Sequence, residues 1–274
     1  MVSAETLMSS TTYHASDGAA YEYWLGRWAR RLAELFLDFA AFPREGNILD
    51  VGCGTGALTF AMVERWPGRQ VTGIDIAPQF VEHARARRNG NLPILEVADA
   101  CALPYRDGQF IGAATQFVLM FIPRPEVAVQ EMKRVVRSGG TVAATLWDFR
   151  GGLVFQRMLW DTASAIDPAA RATRDRIFAN PLVLPEGLSN LFRQAGLSSV
   201  ERRSLTIRMD FANFEDYWQP FQGGQGPVGR YFAELTPDLK GRIKHAVRDA
   251  YCSGAPDGAR SLTATAWAVR ATVP

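Results

Sequence analysis

The chain has 274 residues, of which 47% are hydrophobic and 21% charged, and its formal net charge is +2. These values are typical of a globular protein with a substantial core, and so weak a charge does not indicate a nucleic-acid-binding footprint. The 3 cysteines are too few and too scattered for a disulfide framework or a zinc site. No stretch has the ~20 apolar residues of a membrane span, and the N-terminus lacks a signal-peptide pattern. We therefore expect a soluble, cytoplasmic protein without a metal site.

The first half of the chain alternates between short apolar segments and amphipathic segments. A small, polar arm over 1–20 precedes a helix predicted over 21–39, which carries apolar side chains on one face. The predicted strands then fall at 47–51, 70–74, 94–97, 110–117 and 140–147, and the predicted helices at 57–66, 78–88 and 125–137. Strands that alternate with helices form βαβ units, which build a parallel sheet.

The second half is less regular but adds further elements. The patterns predict helices over 154–166 and 185–196 and strands over 200–207 and 261–270. Two segments with clustered aromatic residues, at about 149–184 and 210–258, are interpreted as insertions. We therefore predict an α/β fold, in which a Rossmann-like, doubly wound, seven-stranded and mostly parallel sheet carries helical cap insertions.

A glycine-rich turn between the first strand and its helix is the most informative motif. It has the sequence Asp50-Val51-Gly52-Cys53-Gly54-Thr55-Gly56. Glycine lets the backbone turn tightly and approach a ligand, and the start of the helix offers unpaired N–H groups. This arrangement suits a nucleoside-type cofactor at the end of the strand. A dinucleotide-binding turn would read Gly-x-Gly-x-x-Gly, whereas residue 57 is alanine.

Asp75 ends the second predicted strand. A carboxylate at that position can accept hydrogen bonds from both ribose hydroxyls of a nucleoside. Dinucleotide-binding enzymes use the same device, so Asp75 does not separate the two kinds of cofactor.

The glycine turn resembles the first motif of class I S-adenosyl-L-methionine (SAM)-dependent methyltransferases. Three more segments, at 21–28, 99–110 and 131–140, are similar to those of the ubiquinone- and menaquinone-biosynthesis C-methyltransferases (methyltransferase type 11). Ser138 replaces a usual proline and Ile111 a usual acid, and no family motif follows Trp147. The resemblance therefore covers roughly residues 20 to 147 and predicts the cofactor but not the acceptor.

The resemblance implies a role for individual residues. Asp50 and the Gly52–Gly56 turn would hold the methionine part of SAM, Asp75 the ribose, and Asp99 with the Ala100 backbone the adenine. The full predicted cofactor site comprises Tyr21, Arg27, Asp50, Gly52, Cys53, Gly54, Gly56, Asp75, Ile76, Asp99, Ala100 and Gln116. S-adenosyl-L-homocysteine would be the product that SAM leaves after it has given up its methyl group.

Three of these roles have structural alternatives. Gln116 would line the methyl-transfer site, or else would be a polar residue that merely ends a strand. Arg27 would reach the cofactor carboxylate if its helix folds over the site. Otherwise it would lie in solvent on the polar face of the helix. The same two alternatives apply to Tyr21.

No catalytic acid or base is assigned. The sulfonium methyl is already activated by its own charge, so the protein mainly has to align the acceptor and exclude water. His14 in the arm and Asp148 beyond the fifth strand are weaker candidates for a base, and His83 is interpreted as structural.

The aromatic residues of the two insertions allow two interpretations. They are either a lid over an apolar acceptor, with Gly223–Gly226 as its hinge, or a local core of the insertions. We divide the chain into an arm and covering helix at 1–46 and a SAM-binding domain at 47–274.

The function predicted from these observations is methylation of a carbon or oxygen of a small, apolar or aromatic acceptor. A non-catalytic SAM-binding module and an NAD-dependent oxidoreductase are the alternatives. A nucleic-acid base methylator is disfavoured, because Gln116-Phe117-Val118-Leu119 stands where such enzymes place Asn/Asp-Pro-Pro-Tyr/Phe. The oligomeric state stays open.

Overall fold

Seven strands form one sheet at the centre of the computed structural model, which describes residues 11–13, 18–88, 90 and 93–274. The strands are β1 (Ile48–Val51), β2 (Val71–Asp75), β3 (Ile94–Val97), β4 (Phe110–Gln116), β5 (Val136–Trp147), β6 (Ser198–Phe211) and β7 (Arg260–Thr272). Their order is β3-β2-β1-β4-β5-β7-β6. The first five strands pair in parallel, whereas β7 is antiparallel to both β5 and β6. The predicted seven-stranded, mostly parallel sheet is confirmed.

The chain order reverses at β1. From β1 the sheet first grows outward through β2 and β3, and the chain then crosses back to place β4 on the other side of β1. In open parallel sheets such a reversal leaves a crevice at the carboxyl ends of the two central strands, where ligands bind. The glycine turn follows β1 and therefore lies at this crevice.

Helices cover both faces of the sheet. In chain order they are α1 (Gly18–Tyr21), α2 (Arg27–Ala40), α3 (Ala57–Arg65), α4 (Pro78–Ala86), α5 (Pro125–Val135), α6 (Val154–Ile166), α7 (Pro168–Ala179), α8 (Gly187–Gln194), α9 (Phe214–Trp218), α10 (Gly226–Ala233) and α11 (Pro237–Cys252). Successive residues of a strand point to opposite faces of the sheet and belong to different hydrophobic clusters. Ile48 belongs to the cluster that includes α2 and α3, and Leu49 belongs to the cluster that includes α5 and α8. Both faces of the parallel sheet are thus buried, as its apolar strands require.

The helix predicted over 21–39 is divided in two. A π-helical turn over Glu22–Gly26 separates α1 from α2. Periodicity arguments assume 3.6 residues per turn and cannot detect one widened turn, which occurs mostly near functional sites. Here the turn places the Glu22 carboxylate against the glycine turn, where it accepts a hydrogen bond from Thr55 Oγ1.

The two insertions pack together as one helical cap. The first contributes α6 and α7 before β6, and the second contributes α9, α10 and α11 between β6 and β7. Helix α7 was not predicted from the sequence, which carries a proline at its start. Pro168 occupies the first turn, and the Asp167 carboxylate caps it by accepting from the Ala169 N–H at 3.0 Å.

Candidate cofactor site and acceptor pocket

A single cavity lies at the carboxyl ends of the central strands and encloses about 1400 Å³, its open mouth included. Most of the predicted site residues line this cavity, namely Tyr21, Asp50, Gly52, Cys53, Gly54, Asp75, Ile76, Asp99, Ala100 and Gln116. Arg27 and Gly56 do not line it. The topology has therefore brought together side chains from the covering helix and from the ends of β1, β2, β3 and β4.

Gly54 leaves space on the cavity side of the glycine turn. Its φ is +53°, and a Cβ added to it would meet no atom within 4 Å. Gly56 serves a different purpose, because its φ is +93° and an added Cβ would lie 2.5 Å from the Phe60 ring. Gly54 thus opens the cradle for a ligand, and Gly56 allows α3 to begin.

Asp75 joins the end of β2 to the glycine turn. Its Oδ2 accepts from the Gly54 N–H at 2.8 Å, and its Oδ1 accepts from the Ala77 N–H at 2.9 Å. Burial raises the pKa of this carboxyl group, and the backbone hydrogen bonds partly oppose that rise. Each oxygen keeps a lone pair for a further donor, which fits the two hydroxyls of a ribose.

Asp50 is only 1% exposed, and only one of its two carboxylate oxygens is hydrogen-bonded among the described residues. Its Oδ2 accepts from Thr59 Oγ1 at 2.5 Å, while its Oδ1 has no hydrogen-bond partner in the described part of the chain. Burial is the main reason why the pKa of Asp50 rises to about 7. An unpaired carboxylate oxygen beside an open cradle fits the ammonium group in the methionine part of SAM.

Asp99 begins the loop that follows β3. Its Oδ1 accepts from the Cys101 N–H at 2.8 Å, which orders the backbone next to Ala100. Asp99 and Ala100 both line the cavity on the side of β3, where the predicted adenine would lie.

Two of the segments that resemble family motifs brace each other. Glu131 Oε2 accepts from the Leu103 N–H at 2.8 Å, and Arg134 NH1 donates to Tyr105 O at 2.7 Å and to Asp107 Oδ1 at 2.8 Å. The hydrogen bond from Arg134 is the main reason why the pKa of Glu131 is lowered. These residues hold the loop after β3 on α5, so from outside the cavity they shape the wall that contains Asp99 and Ala100.

Gln116 ends its strand with a structural hydrogen bond and also lines the cavity. Its Nε2 donates to Ala29 O at 2.9 Å and so fastens α2 onto β4. Its Oε1 has no partner among the described residues, and the side chain lines the cavity. One amide therefore supports the fold and offers an acceptor to a ligand.

Arg27 points to the cap, not into the cavity. Its NH1 pairs with Asp216 Oδ1 at 3.1 Å, and its guanidinium lies 4.3 Å from the centre of the Trp28 ring. The expected approach to a cofactor carboxylate is not seen in this arrangement. Asp216 lies in the second insertion, where the sequence carries no family motif that could have indicated such a partner.

We expect Arg27→Met and Asp216→Asn each to lower the free energy of unfolding by about 1 kcal/mol, because partly exposed ion pairs contribute little. The double variant should lose less free energy of unfolding than the sum of the two single losses, and denaturant unfolding measures this coupling.

Calorimetry with SAM measures whether either residue affects cofactor binding. Arg27→Met should bind SAM as Asp216→Asn does. A loss of tenfold or more in Arg27→Met alone would instead assign Arg27 to the cofactor.

Glu22, Thr55 and Arg87 form a clamp on the glycine turn that sequence reasoning missed. Glu22 Oε1 accepts from Thr55 Oγ1 at 2.5 Å and from Arg87 NH1 at 3.4 Å, and Arg87 NH1 also donates to Thr55 O at 2.9 Å. Arg87 directly follows α4, and nothing in its local sequence specifies Glu22 or Thr55 as a partner. Glu22 lies in the π-helical turn, and the position of this turn brings its carboxylate within reach of Arg87.

Asp148, the candidate base that lies among the described residues, does not line the cavity. Asp148 Oδ1 accepts from the backbone N–H groups of Arg150 and Gly151, both at 3.1 Å, and so stabilises a turn. His83 packs against Gly18, since a Cβ added there would lie 2.5 Å from its ring. His14 lies outside the described residues.

The cavity has a second half at the ends of β4 and β5, closed by the cap. Its wall includes Phe117, Met120, Ile122, Leu146, Trp147, Phe149, Gln156, Ile177, Pro227 and Val228. The rings of Phe117 and Trp147 stack with centroids 4.4 Å apart and planes 15° apart. Phe117 has φ of +68°, a strained conformation for a bulky residue that directs its ring onto Trp147.

The aromatic residues proposed as a lid mostly form the core of the cap. Only Phe149 among them lines the cavity. Trp218, for example, is 1% exposed and lies 5.3 Å from Phe232 between ring centroids. The supposed hinge is also packed, since Tyr13 Oη donates to the buried Gln225 Oε1 at 3.3 Å.

The comparisons with known proteins agree with this geometry. Residues 49–144 match a family described as "Methyltransferase domain". The chain is 31% identical over 174 residues to a demethylmenaquinone methyltransferase of Roseiflexus castenholzii, over 60% of this chain and 73% of the relative. It is 34% identical over 164 residues to an O-methyltransferase of Penicillium expansum, over 58% of this chain and 55% of the relative. The chain thus spans about half the length of some curated relatives it matches.

A solved structure supports the fold. A phosphoethanolamine N-methyltransferase 2 of Haemonchus contortus, in complex with SAM, superposes with a TM-score of 0.59 at 14% identity, over 100% of this chain and 60% of that one. With the sequence matches, this shows that the chain belongs to the class I SAM-dependent methyltransferases. SAM is the cofactor of this family. Among the described residues, no helix is long and apolar enough to cross a membrane.

Proposed function

We propose that this protein transfers the methyl group of SAM to a carbon or oxygen atom of a small, apolar and preferably aromatic acceptor. The observation that carries the proposal is the division of the cavity. Its carboxylates, Asp50, Asp75 and Asp99, all lie at the ends of β1, β2 and β3. The half next to β4, β5 and the cap presents, among the described residues, only uncharged and mostly apolar side chains.

The cofactor half would hold SAM along the three strand ends. Asp75 would bind the ribose hydroxyls, Asp50 and the glycine turn the methionine part, and Asp99 with Ala100 the adenine. Tyr21, Cys53 and Ile76 would complete this wall, and Gln116 would lie near the transferred methyl group. Bound SAM supplies a methyl group that its sulfonium charge already activates.

The acceptor half would work by positioning and by exclusion of water. The stacked pair of Phe117 and Trp147 offers a flat apolar surface, and Phe149 and Val228 come from the cap side. Among described residues this half has no ionisable side chain that could take a proton from the acceptor. The chain would therefore hold the nucleophile in line with the methyl group, which supplies most of the acceleration that such a transfer needs.

The relatives are consistent with either methylated atom. One is named as an O-methyltransferase and one as a demethylmenaquinone methyltransferase. We extend the proposal to a small-molecule acceptor, to a cytoplasmic location in keeping with the free Cys53, Cys101 and Cys252, and to a SAM-binding domain that spans 47–274.

Calorimetry with SAM, S-adenosyl-L-homocysteine and NADH tests the cofactor, and transfer of a radiolabelled methyl group to a panel of phenols and quinols tests the reaction. We expect both SAM and its product to bind, no heat with NADH, and turnover of at least one neutral ring compound. Binding of NADH in place of SAM would support the oxidoreductase alternative. SAM binding without turnover of any compound would support the non-catalytic module.

A further inference from the structure

Gln156 is an unpaired amide in an apolar wall. It lies on α6, is 4% exposed and lines the cavity, but its side chain makes no hydrogen bond within the described part of the chain. The cap residues that share this wall are Phe149, Ile177, Pro227 and Val228, so Gln156 is their one polar side chain among those described. Its amide donors and acceptor face the cavity and remain available to a ligand there.

The neighbours of Gln156 on the same helix have a different role. Phe155 is buried in the aromatic core of the cap, and its carbonyl accepts from Tyr217 Oη at 2.7 Å. Leu159 and Trp160 also belong to the core. The helix is therefore held from behind, and Gln156 is presented to the cavity on a rigid element.

The surrounding wall restricts what this amide can bind. The stack of Phe117 on Trp147 accommodates a flat ring, and Trp147 Nε1 is a buried donor without a partner among the described residues. A charged ligand would find no counter-charge on the described residues of this half, and burying an unpaired charge is costly. An uncharged ring with an oxygen substituent can pack against the apolar surface and form a hydrogen bond with the amide.

We propose that Gln156 determines acceptor specificity: its amide binds a hydroxyl or carbonyl oxygen on an uncharged ring that lies against Phe117 and Trp147. The inference rests on the proposed function in one respect, namely that this half of the cavity holds the acceptor. Gln156 is a specificity-determining residue here and takes no proton.

Three probes with the same ring system separate the contributions. Naphthalene has no oxygen, 2-naphthol has one neutral hydroxyl, and 2-naphthoate carries a negative charge. Equilibrium dialysis of the full chain, saturated with S-adenosyl-L-homocysteine, gives the affinity for each. We expect the wild type to bind 2-naphthol about tenfold or more tightly than either of the other two.

Gln156→Leu keeps the size of the side chain and removes its polar atoms. In this variant the affinity for 2-naphthol should fall to that for naphthalene, and the affinity for naphthalene should not fall. Ser164→Ala is the matched control, because Ser164 lies on the same helix and is also 4% exposed, but does not line the cavity; its Oγ has no hydrogen-bond partner among the described residues. It should bind all three probes as the wild type does.

The inference is overturned if the wild type does not bind 2-naphthol or does not prefer it, if Gln156→Leu retains the preference, or if Ser164→Ala loses it equally. Calorimetry with SAM on each variant keeps this test separate from the proposed function. Failure of the wild type to bind SAM would refute the function, whereas unchanged SAM binding with a lost naphthol preference supports the specificity role alone.

Discussion

Gly54→Val is expected to lower the affinity for SAM by at least about 100-fold and to leave the fold intact. The reason is geometric. The space beyond the Gly54 Cα is empty on the cavity side, so a branched side chain would occupy the cradle in which the cofactor has to lie. The loss of close backbone approach, together with displacement of the Gly54 N–H from Asp75, would remove several contacts at once.

The matched control is Gly68→Val. Gly68 also has a positive φ, of +85°, and also has no atom within 4 Å of an added Cβ, but it does not line the cavity. Both variants therefore suffer the same kind of backbone strain, about 1–2 kcal/mol, and thermal unfolding should show similar losses. Calorimetry with SAM should separate them. Equal SAM affinity in the two variants would remove the glycine turn from the cofactor site.

Asp50 is expected to make both stability and cofactor affinity depend on pH around neutrality. Burial raises its pKa from the ordinary 3.8 to about 7 in the folded chain. The folded state without cofactor therefore holds a proton more tightly than the unfolded state. This contribution to stability is fully present below about pH 4 and is lost as the pH rises through 7.

A difference of this size corresponds to about 4 kcal/mol. Asp50→Asn cannot ionise and keeps an oxygen for Thr59 Oγ1, so without cofactor it should become more stable than the wild type as the pH rises from 4 to 8. Denaturant unfolding at several pH values measures the difference between the two proteins. A constant difference over this range would show that Asp50 is ionised throughout.

The same carboxyl group should affect SAM in the opposite direction. The ammonium group of the cofactor favours the ionised form of Asp50, so SAM should bind about tenfold more weakly at pH 6 than at pH 8. Asp50→Asn should bind SAM about 10–100-fold more weakly at pH 8 and lose this pH dependence, because it forfeits a charge-assisted hydrogen bond. Asp148→Asn, outside the cavity, should match the wild type; a pH-independent affinity in the wild type would contradict the contact.

Local signals in the sequence were sufficient for most elements of the first half and for some of the second. The bounds of β3 (Ile94–Val97) and α6 (Val154–Ile166) were predicted as the structure has them, and β1 differs by one residue. Hydrophobic periodicity and the positions of proline and glycine act over a few residues, so they can be read without the fold. The π-helical turn over Glu22–Gly26 was missed because it departs from the 3.6-residue period that was applied, and α7 was not predicted although it starts with a capped proline turn.

Contacts between distant segments could not be predicted in the same way. Arg27 lies 189 positions from its partner Asp216, and Tyr13 lies 212 positions from Gln225. Nothing in the local pattern of either residue specifies such a partner. The assignment of the cap aromatics to a core also required the packing of both insertions, because a lid and a core have the same composition.

The sequence alone determined the strands, the glycine turn and the acidic residues at the strand ends. These features were sufficient to indicate the family and its cofactor. These features depend on backbone conformation and on neighbours within a few positions. The acceptor half was decided only by tertiary structure. Phe117, Trp147, Gln156 and Val228 come from four separate parts of the chain, and their proximity follows from the crossing of the chain at β1 and from the packing of the cap on the sheet.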